Sequence, residues 1–253
     1  KVRNFKNFRD ELLFSLKTTK NYEFNRNIVE NGTIRDSLVI GENASGKTNL
    51  GYAILDITCH LTDKGRREIR WSPNYFNSDD TAYFEYVFRF DESTVRYSYE
   101  KKQQDKVLRE QLEIDGRKII VSDFLHSSVN LKGTENLNLE NYDFDISLVK
   151  YVYANTVLDK EDKECRLFRR FMQFVNGMLW FSSTEGHRYI GFSNVSGNLF
   201  EAIANMDHAA ETLQDFLQEA GIYYQLVVKD RGEGKNIYCR MGKKEILLSS
   251  IIS

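Results

Sequence analysis

The sequence predicts an α/β protein, and three observations carry that prediction. A short apolar run ends at a glycine-containing loop and continues as residues at helical spacing; aromatic and polar residues alternate through residues 84–99; later stretches return to helical spacing before a last pair of alternating runs. The expected arrangement is a core around the loop with an antiparallel β subdomain over residues 1–125, a helical lobe over 126–221, and a β meander over 222–253.

Each element has its own warrant. The opening Val2-Arg3-Asn4-Phe5-Lys6-Asn7-Phe8-Arg9-Asp10 and the run Leu12 to Leu16 read as two strands, and Ser37-Leu38-Val39-Ile40 reads as a short buried strand. Leu50, Ala53, Ile54, Ile57 and Leu61 then recur at helical spacing until Lys64-Gly65 supplies a stop. Phe84, Tyr86, Phe88 and Phe90 alternate with polar neighbours, Asp91-Glu92-Ser93-Thr94 forms a polar tip, and Val95, Tyr97 and Tyr99 return, which is a hairpin. Leu108, Leu112 and Ile114 lead to Asp115-Gly116, a type I′ turn signal, and Lys118 to Val121 runs back. Residues 126–158 are rich in asparagine and read as irregular or short helical structure. From Lys160 to Phe181, the residues Cys165, Phe168, Phe171, Met172, Val175, Met178 and Leu179 make an amphipathic stripe. Residues 198–220 read as one helix carrying Leu199, Ile203, Met206, Ala210, Leu213 and Leu217, with Asn198 and Glu201 as a capping pair and Gly221 at its end. That stripe suits core packing better than a dimer contact, because its heptad register is short. Alternating runs at Tyr223 to Lys229 and Asn236 to Met241 complete the chain's pattern before Lys243 to Ser253.

Composition bounds the function. The 253 residues are 41% hydrophobic and 28% charged, enough for one large domain or two small ones. A net charge of −2 supplies no global field toward nucleic acid or membrane. Cys59, Cys165 and Cys239 form no C-x-x-C pair, which fits neither a zinc site nor a disulfide framework, so a reduced, cytoplasmic protein is expected. No apolar run approaches the ~20 residues of a membrane-spanning helix. His60, His126, His187 and His208 have no metal-ligand spacing.

The chemistry-bearing stretch is Gly41-Glu42-Asn43-Ala44-Ser45-Gly46-Lys47-Thr48, which matches G-x-x-x-x-G-K-[ST]. Glycines let successive backbone N–H groups curl around a phosphate, and the following helix presents its positive end. In that role Lys47 reaches the β and γ phosphates, and the Thr48 hydroxyl binds Mg²⁺. The strand, loop and helix stand in the order this mechanism requires, so a P-loop core binding a nucleoside triphosphate is expected. A guanine-reading N-K-x-D is absent: Thr62-Asp63-Lys64-Gly65 and Asp159-Lys160-Glu161-Asp162 both fail. Val87 to Glu92 superficially resembles the acidic strand of a Walker B site, but Arg89 in mid-run argues for the hairpin instead.

The opening Val2 to Asp10, the second strand at Leu12 to Leu16 and then Ile40 to Ile54 together resemble the start of ABC-type ATPase heads of the SMC, RecF and OLD kind, closest to the AAA-family branch of bacterial phage-defence and abortive-infection systems. In that class an N-F-(K/R)-x-F strand precedes a loop G-x-N-(G/A)-S-G-K-(S/T)-(N/T)-L, and Asn43, Ala44, Ser45 and Asn49 fit it. The match covers residues 1–61. The resemblance implies a P-loop NTPase core of the ABC-ATPase kind that binds ATP and Mg²⁺ through Gly41, Asn43, Ala44, Ser45, Gly46, Lys47, Thr48 and Asn49. It further implies closure as a homodimer or higher homo-oligomer and control of an associated toxin, nuclease or nucleic-acid partner. Arg9 falls near a basic position that approaches the nucleotide in that family. Lys64, Arg66, Arg67 and Arg70 fall where related heads carry an arginine loop, although Asp63 and Glu68 favour a solvated loop. No serine-glycine signature, Walker B strand or switch histidine precedes Ser253, so the chain is expected to stop short of those motifs, with a naturally short P-loop protein as the alternative. An ATP hydrolase is the expected activity; a nucleotide-gated scaffold without turnover and a small P-loop kinase are the alternatives.

Overall fold

Alternation builds the sheet that organises the first part of the chain. The computed structural model describes residues 1–20, 26–64, 71–103, 106–123, 125–139, 142, 146–182, 188–190, 203–206, 208–230, 232 and 234–251. Strands β1 (Val2–Arg3), β4 (Ala82–Phe90), β5 (Ser93–Gln103), β6 (Lys106–Ile114), β7 (Arg117–Ser122) and β8 (Ser127–Val129) form an antiparallel sheet in the order β1-β4-β5-β6-β7-β8. A small hairpin, β2 (Val29–Glu30) with β3 (Thr33–Ile34), lies between β1 and the loop in sequence. The expected hairpin over 84–99 is present, with Phe84 opposite Tyr99, Tyr86 opposite Tyr97 and Phe88 opposite Val95. Asp115 (φ 50°) and Gly116 (φ 79°) adopt the two left-handed conformations a type I′ turn requires.

Period two then puts one face of this sheet in the core and the other in water. Val95, Tyr97, Tyr99, Leu112 and Ile114 are buried, and Arg96 on the opposite face binds Glu85 at 3.2 Å and Glu113 at 3.6 Å. Helices α1 (Lys47–Thr62), α2 (Leu148–Asn155) and α3 (Lys163–Gly177) pack against the inward side. The α3 stripe docks as its spacing requires: Phe171 meets Phe88 at 5.4 Å and Tyr97 at 5.6 Å between ring centroids. Leu179 lies beyond the end of that helix and is exposed, a departure from the expected stripe. Ser147 caps α2 and Asp162 caps α3, each side chain accepting a first-turn N–H. A short hairpin, β9 (Trp180–Ser182) with β10 (Arg188–Ile190), follows.

Residues Lys1–Phe192 make one compact unit and Ser193–Ser253 a second. By packing, α2 and α3 therefore belong with the sheet, whereas composition and periodicity draw boundaries at 126 and 222. The second unit has its own core of Leu217, Leu226, Ile237, Cys239 and Leu248, formed by α4 (Ala209–Glu219) and the antiparallel strands β11 (Gln225–Asp230), β12 (Lys235–Met241) and β13 (Lys244–Leu247). Gly221 (φ 80°) ends α4, with Ile222 N–H donating to Leu217 O at 2.7 Å.

Four expected elements are corrected. Leu38, Val39 and Ile40 form no strand and are 83%, 45% and 83% exposed, because no neighbouring strand among the described residues pairs with them. Of the expected opening strand Val2–Arg3 pairs into the sheet as β1, and the chain then turns tightly, Phe5 and Phe8 exchanging N–H to O bonds at 3.0 and 2.9 Å around Lys6-Asn7; the run Leu12 to Leu16 forms no strand and is tied at Leu12 by a bridge to Val2 and at Leu16 by the Ile34 N–H at 2.7 Å. The single helix over 198–220 is broken by left-handed His208 (φ 55°), so α4 starts at Ala209 and Met206 is exposed; the caps at Asn198 and Glu201 lie outside the described residues. The sheet is antiparallel throughout its described strands, so the mixed α/β class and the antiparallel subdomain are present, and the parallel sheet usual around a phosphate-binding loop is not seen among the described residues.

Candidate functional site

Residues 41–49 lie where the extended segment turns into α1. Ala44 (φ 63°) and Gly46 (φ 100°) are left-handed on either side of Ser45, the alternation found in anion-binding nests, and the Ser45 N–H between them is bonded to Glu42 O at 3.2 Å. For Ala44 this left-handed geometry costs about 1 kcal/mol or more, so the loop holds strain at the place where an anion would sit. Gly46 is the N-cap of α1 and supplies no side-chain cap, so the first-turn N–H groups of the helix face outward.

The two glycines that bound the motif answer to sterics. A Cβ on Gly41 would lie 2.8 Å from Ser45 Oγ, and a Cβ on Gly46 would lie 2.2 Å from Asn7 Nδ2. Lys47 folds back over the loop, its Nζ donating to the carbonyls of Gly41 and Glu42 at 2.7 Å each. An ammonium held only by neutral carbonyls in an exposed loop exchanges them readily for phosphate oxygens, which form the stronger charge-assisted bond. Thr48 occupies the second position of α1 with its side chain exposed, and Asn49 Nδ2 donates to Asn7 Oδ1 at 2.8 Å.

The left-handed Ala44 and Gly46 and the uncapped helix end are the features on which a triphosphate tail would rest. For Mg²⁺ the fit is partial: Thr48 offers one hydroxyl oxygen, and the described residues hold no group of three or more His, Cys, Asp or Glu that could bind a metal ion. A cation that keeps several waters and takes phosphate oxygens needs few protein ligands. Bound there, it would neutralise charge between the outer phosphates.

The loop residues Gly41, Asn43, Ala44, Ser45, Gly46, Lys47, Thr48 and Asn49 are thus contiguous in space as in sequence. Arg9 is exposed on the same opening hairpin that reaches the loop. Lys64 donates to Asn176 O at 2.8 Å, and Arg66, Arg67 and Arg70 lie outside the described residues. Residues 87–92 belong to the β4–β5 hairpin, with Asp91 paired to Arg170 at 2.5 Å.

Sequence reasoning missed the polar seam beneath the loop helix. Asp56 and His60 stand one turn apart on α1 and face the sheet. Asp56 accepts from Lys101 Nζ at 2.7 Å and from Tyr99 OH at 2.6 Å; Asp56 and Lys101 are 2% and 1% exposed. Tyr86 OH donates to Ala53 O at 2.6 Å, a backbone carbonyl of the same helix. His60 stacks on Tyr99 at 4.3 Å, and its Nε2 lies 3.7 Å from Glu110 Oε1, an ion-pair separation too long for a hydrogen bond. Glu110 Oε2 accepts the Leu148 N–H at 2.6 Å, and its other oxygen accepts the hydroxyls of Ser147 and Tyr97. Burial opposes the Glu110 charge, but His60 and then those hydroxyls bring its carboxyl below the ordinary value. The legible signal was a carboxylate and an imidazole four residues apart inside a helix whose other residues are mostly apolar.

No protein-family model matches the chain, and no curated protein is similar to it.

Proposed function

We propose that the chain is the ATP-binding head of an ATPase, holding Mg-ATP through residues 41–49. The carrying observation is the loop geometry: two left-handed turns, an uncapped helix N-terminus and a lysine ammonium resting on the carbonyls of Gly41 and Glu42. Lys47 stabilises charge on the outer phosphates, the backbone N–H groups of Gly46, Lys47 and Thr48 orient the tail while that of Ser45 stays bonded to Glu42 O, and Thr48 contributes a metal-facing hydroxyl. Dimerisation on Mg-ATP and control of an associated toxin, nuclease or nucleic-acid effector in antiphage defence, in the cytoplasm, rest on the resemblance of residues 1–61 to ABC-type heads.

A second reading, nucleotide-gated binding without turnover by this chain, is favoured by where its carboxylates are. Asp56 and Glu110 are consumed in the buried seam and Asp91 by Arg170, so none of these three is placed to polarise water at the loop. Calorimetry with Mg-ATP is expected to give saturable binding that Lys47→Ala weakens by at least about tenfold, the weight of one charge-assisted bond or more, without changing the circular dichroism spectrum. Phosphate release above background separates the ATPase from the binding-only reading, and the absence of binding heat with any magnesium nucleotide overturns both.

A further inference from the structure

The tip of the opening hairpin touches the phosphate loop through one side chain. Asn7 accepts from Asn49 Nδ2 at 2.8 Å, and its amide lies so close to Gly46 that a Cβ there would meet Nδ2 at 2.2 Å and Cγ and Oδ1 at 3.0 Å. It thus bridges the left-handed N-cap of α1 and a residue in that helix's first turn.

The tip itself is held from behind. Asn4, 1% exposed, donates through Nδ2 to Asp79 O at 2.6 Å and Thr81 O at 3.0 Å, and its Oδ1 accepts the Asn74 N–H at 3.2 Å. Asn74 Nδ2 in turn donates to Lys6 O at 2.8 Å, and Lys6 N–H donates to Ser72 O at 3.0 Å. Asn4 (φ 54°) and Lys6 (φ 51°) are both left-handed, conformations that persist only where the surroundings over-determine them. The buried Asn4–Asn74 clasp does so, and Phe5, fully buried against Phe84 at 5.2 Å, anchors the turn to the sheet.

We propose that Asn7 is a positioning residue for the phosphate loop, a strut that transmits the rigidity of the clasp to Gly46 and Asn49. The proposal rests on the reading of residues 41–49 as a nucleotide site. A loop with two left-handed residues has other conformations open to it, and only the one with its N–H groups convergent binds an anion; a fixed side chain wedged against Gly46 raises the population of that one. Residues 72–81 are then mechanically linked to nucleotide occupancy through Asn74.

The test uses the full chain with Asn7→Ala, Asn49→Ala and the double variant, read by Mg-ATP calorimetry, thermal melting, and hydrogen exchange in nucleotide-free protein of the Leu50 amide, which Gly46 O accepts at 2.9 Å, and of the Gly51 and Tyr52 amides after it. Each single change is expected to weaken binding about tenfold, the worth of one hydrogen bond at the upper end, with the double no weaker than the singles and the melting temperature unmoved. Amide exchange at 50–52 is expected to rise severalfold in Asn7→Ala and to return toward wild type in Asn7→Asp, which retains the acceptor while its charge still weakens ATP. Multiplicative losses in the double, or loss of affinity only in step with lost stability, overturn the proposal. If wild type binds no nucleotide, the site reading fails by itself, and the strut then stands or falls on the exchange data, where unchanged protection in Asn7→Ala overturns it.

Discussion

Gly51 shows how tightly single residues are constrained around the loop helix. A Cβ there would lie 1.6 Å from Trp180 Cζ3 and 1.8 Å from Cη2, because the indole lies flat on the helix backbone and stacks on Tyr52 at 5.2 Å. Gly51→Ala must displace that ring, and overpacking of this kind costs about 1–3 kcal/mol. Urea denaturation should show the loss, and a red-shifted Trp180 emission, with Trp71→Phe as background, should show where it arises. Gly46 carries two constraints at once, φ 100° and the Asn7 amide. Gly46→Ala is therefore expected to abolish Mg-ATP binding while costing only about 1–2 kcal/mol of stability, a left-handed alanine in an exposed loop; an unchanged binding isotherm would contradict the assigned geometry. The three cysteines are buried, and burial with the nearby Asp162 pushes the Cys165 thiol up to about 11, which suits inert packing.

Among the elements, α1 is the one whose surroundings spacing alone misdescribes. Its apolar residues at helical spacing predict a single buried stripe, yet from Leu55 to Leu61 every residue is buried, because the sheet covers one side and α3 another, with Thr58 donating to Val175 O at 3.3 Å. Of the polar members of that run, Asp56 is therefore paired with Lys101 and Tyr99 of the sheet and Thr58 with α3. Shifting α1 by one turn in either direction would take Asp56 from its partners and leave Lys101 without its carboxylate. Lys101→Met is expected to cost about 3–5 kcal/mol, since it leaves the Asp56 charge buried with one tyrosine hydroxyl. The double change Asp56→Leu with Lys101→Met should recover most of that loss, because an apolar pair needs no desolvated charge. Equal destabilisation of single and double variants in denaturant titrations would show that packing volume rather than charge dominates there. Lys101 was hard to read from the chain because it follows Tyr97 and Tyr99 on the inward register of β5, where alternation predicts an apolar residue.

For the whole molecule, the buried seam sets the response to pH. Burial first, and then Asp56 beside Tyr86 and Tyr99 or Glu110 beside Tyr97, hold these three hydroxyls protonated well above the ordinary value of 10. The unfolded chain loses those protons near pH 10 while the folded chain keeps them, so the folded state binds more protons there and stability falls as pH rises from 10 upward. Each group adds a slope of about 1.4 kcal/mol per pH unit once its unfolded form is ionised. Urea midpoints at pH 9 and 11 should therefore diverge, and Tyr97→Phe should flatten the dependence by about one such slope. At the acid end, the depressed Glu110 contributes stability that is present above the ordinary carboxylate range and is lost as pH falls through its folded value. No helix among the described residues is long and apolar enough to cross a membrane.

What the chain determines by itself is whatever local dihedral preference and side-chain spacing control. The helix after the loop, the Asp115-Gly116 turn, the 84–99 hairpin, the α3 stripe short of Leu179 and the Gly221 stop all depend on residues within a few positions of one another, and all are found. Tertiary structure alone decided the rest, because pairing and burial are set by residues distant in sequence. Leu38 to Ile40 have strand-like composition but no partner strand among the described residues. A break at His208 keeps Leu217 facing its core, so the spacing does not register it. Asn7 reads as one asparagine in a polar-aromatic run, and only the folded hairpin brings it against Gly46, 39 positions along the chain.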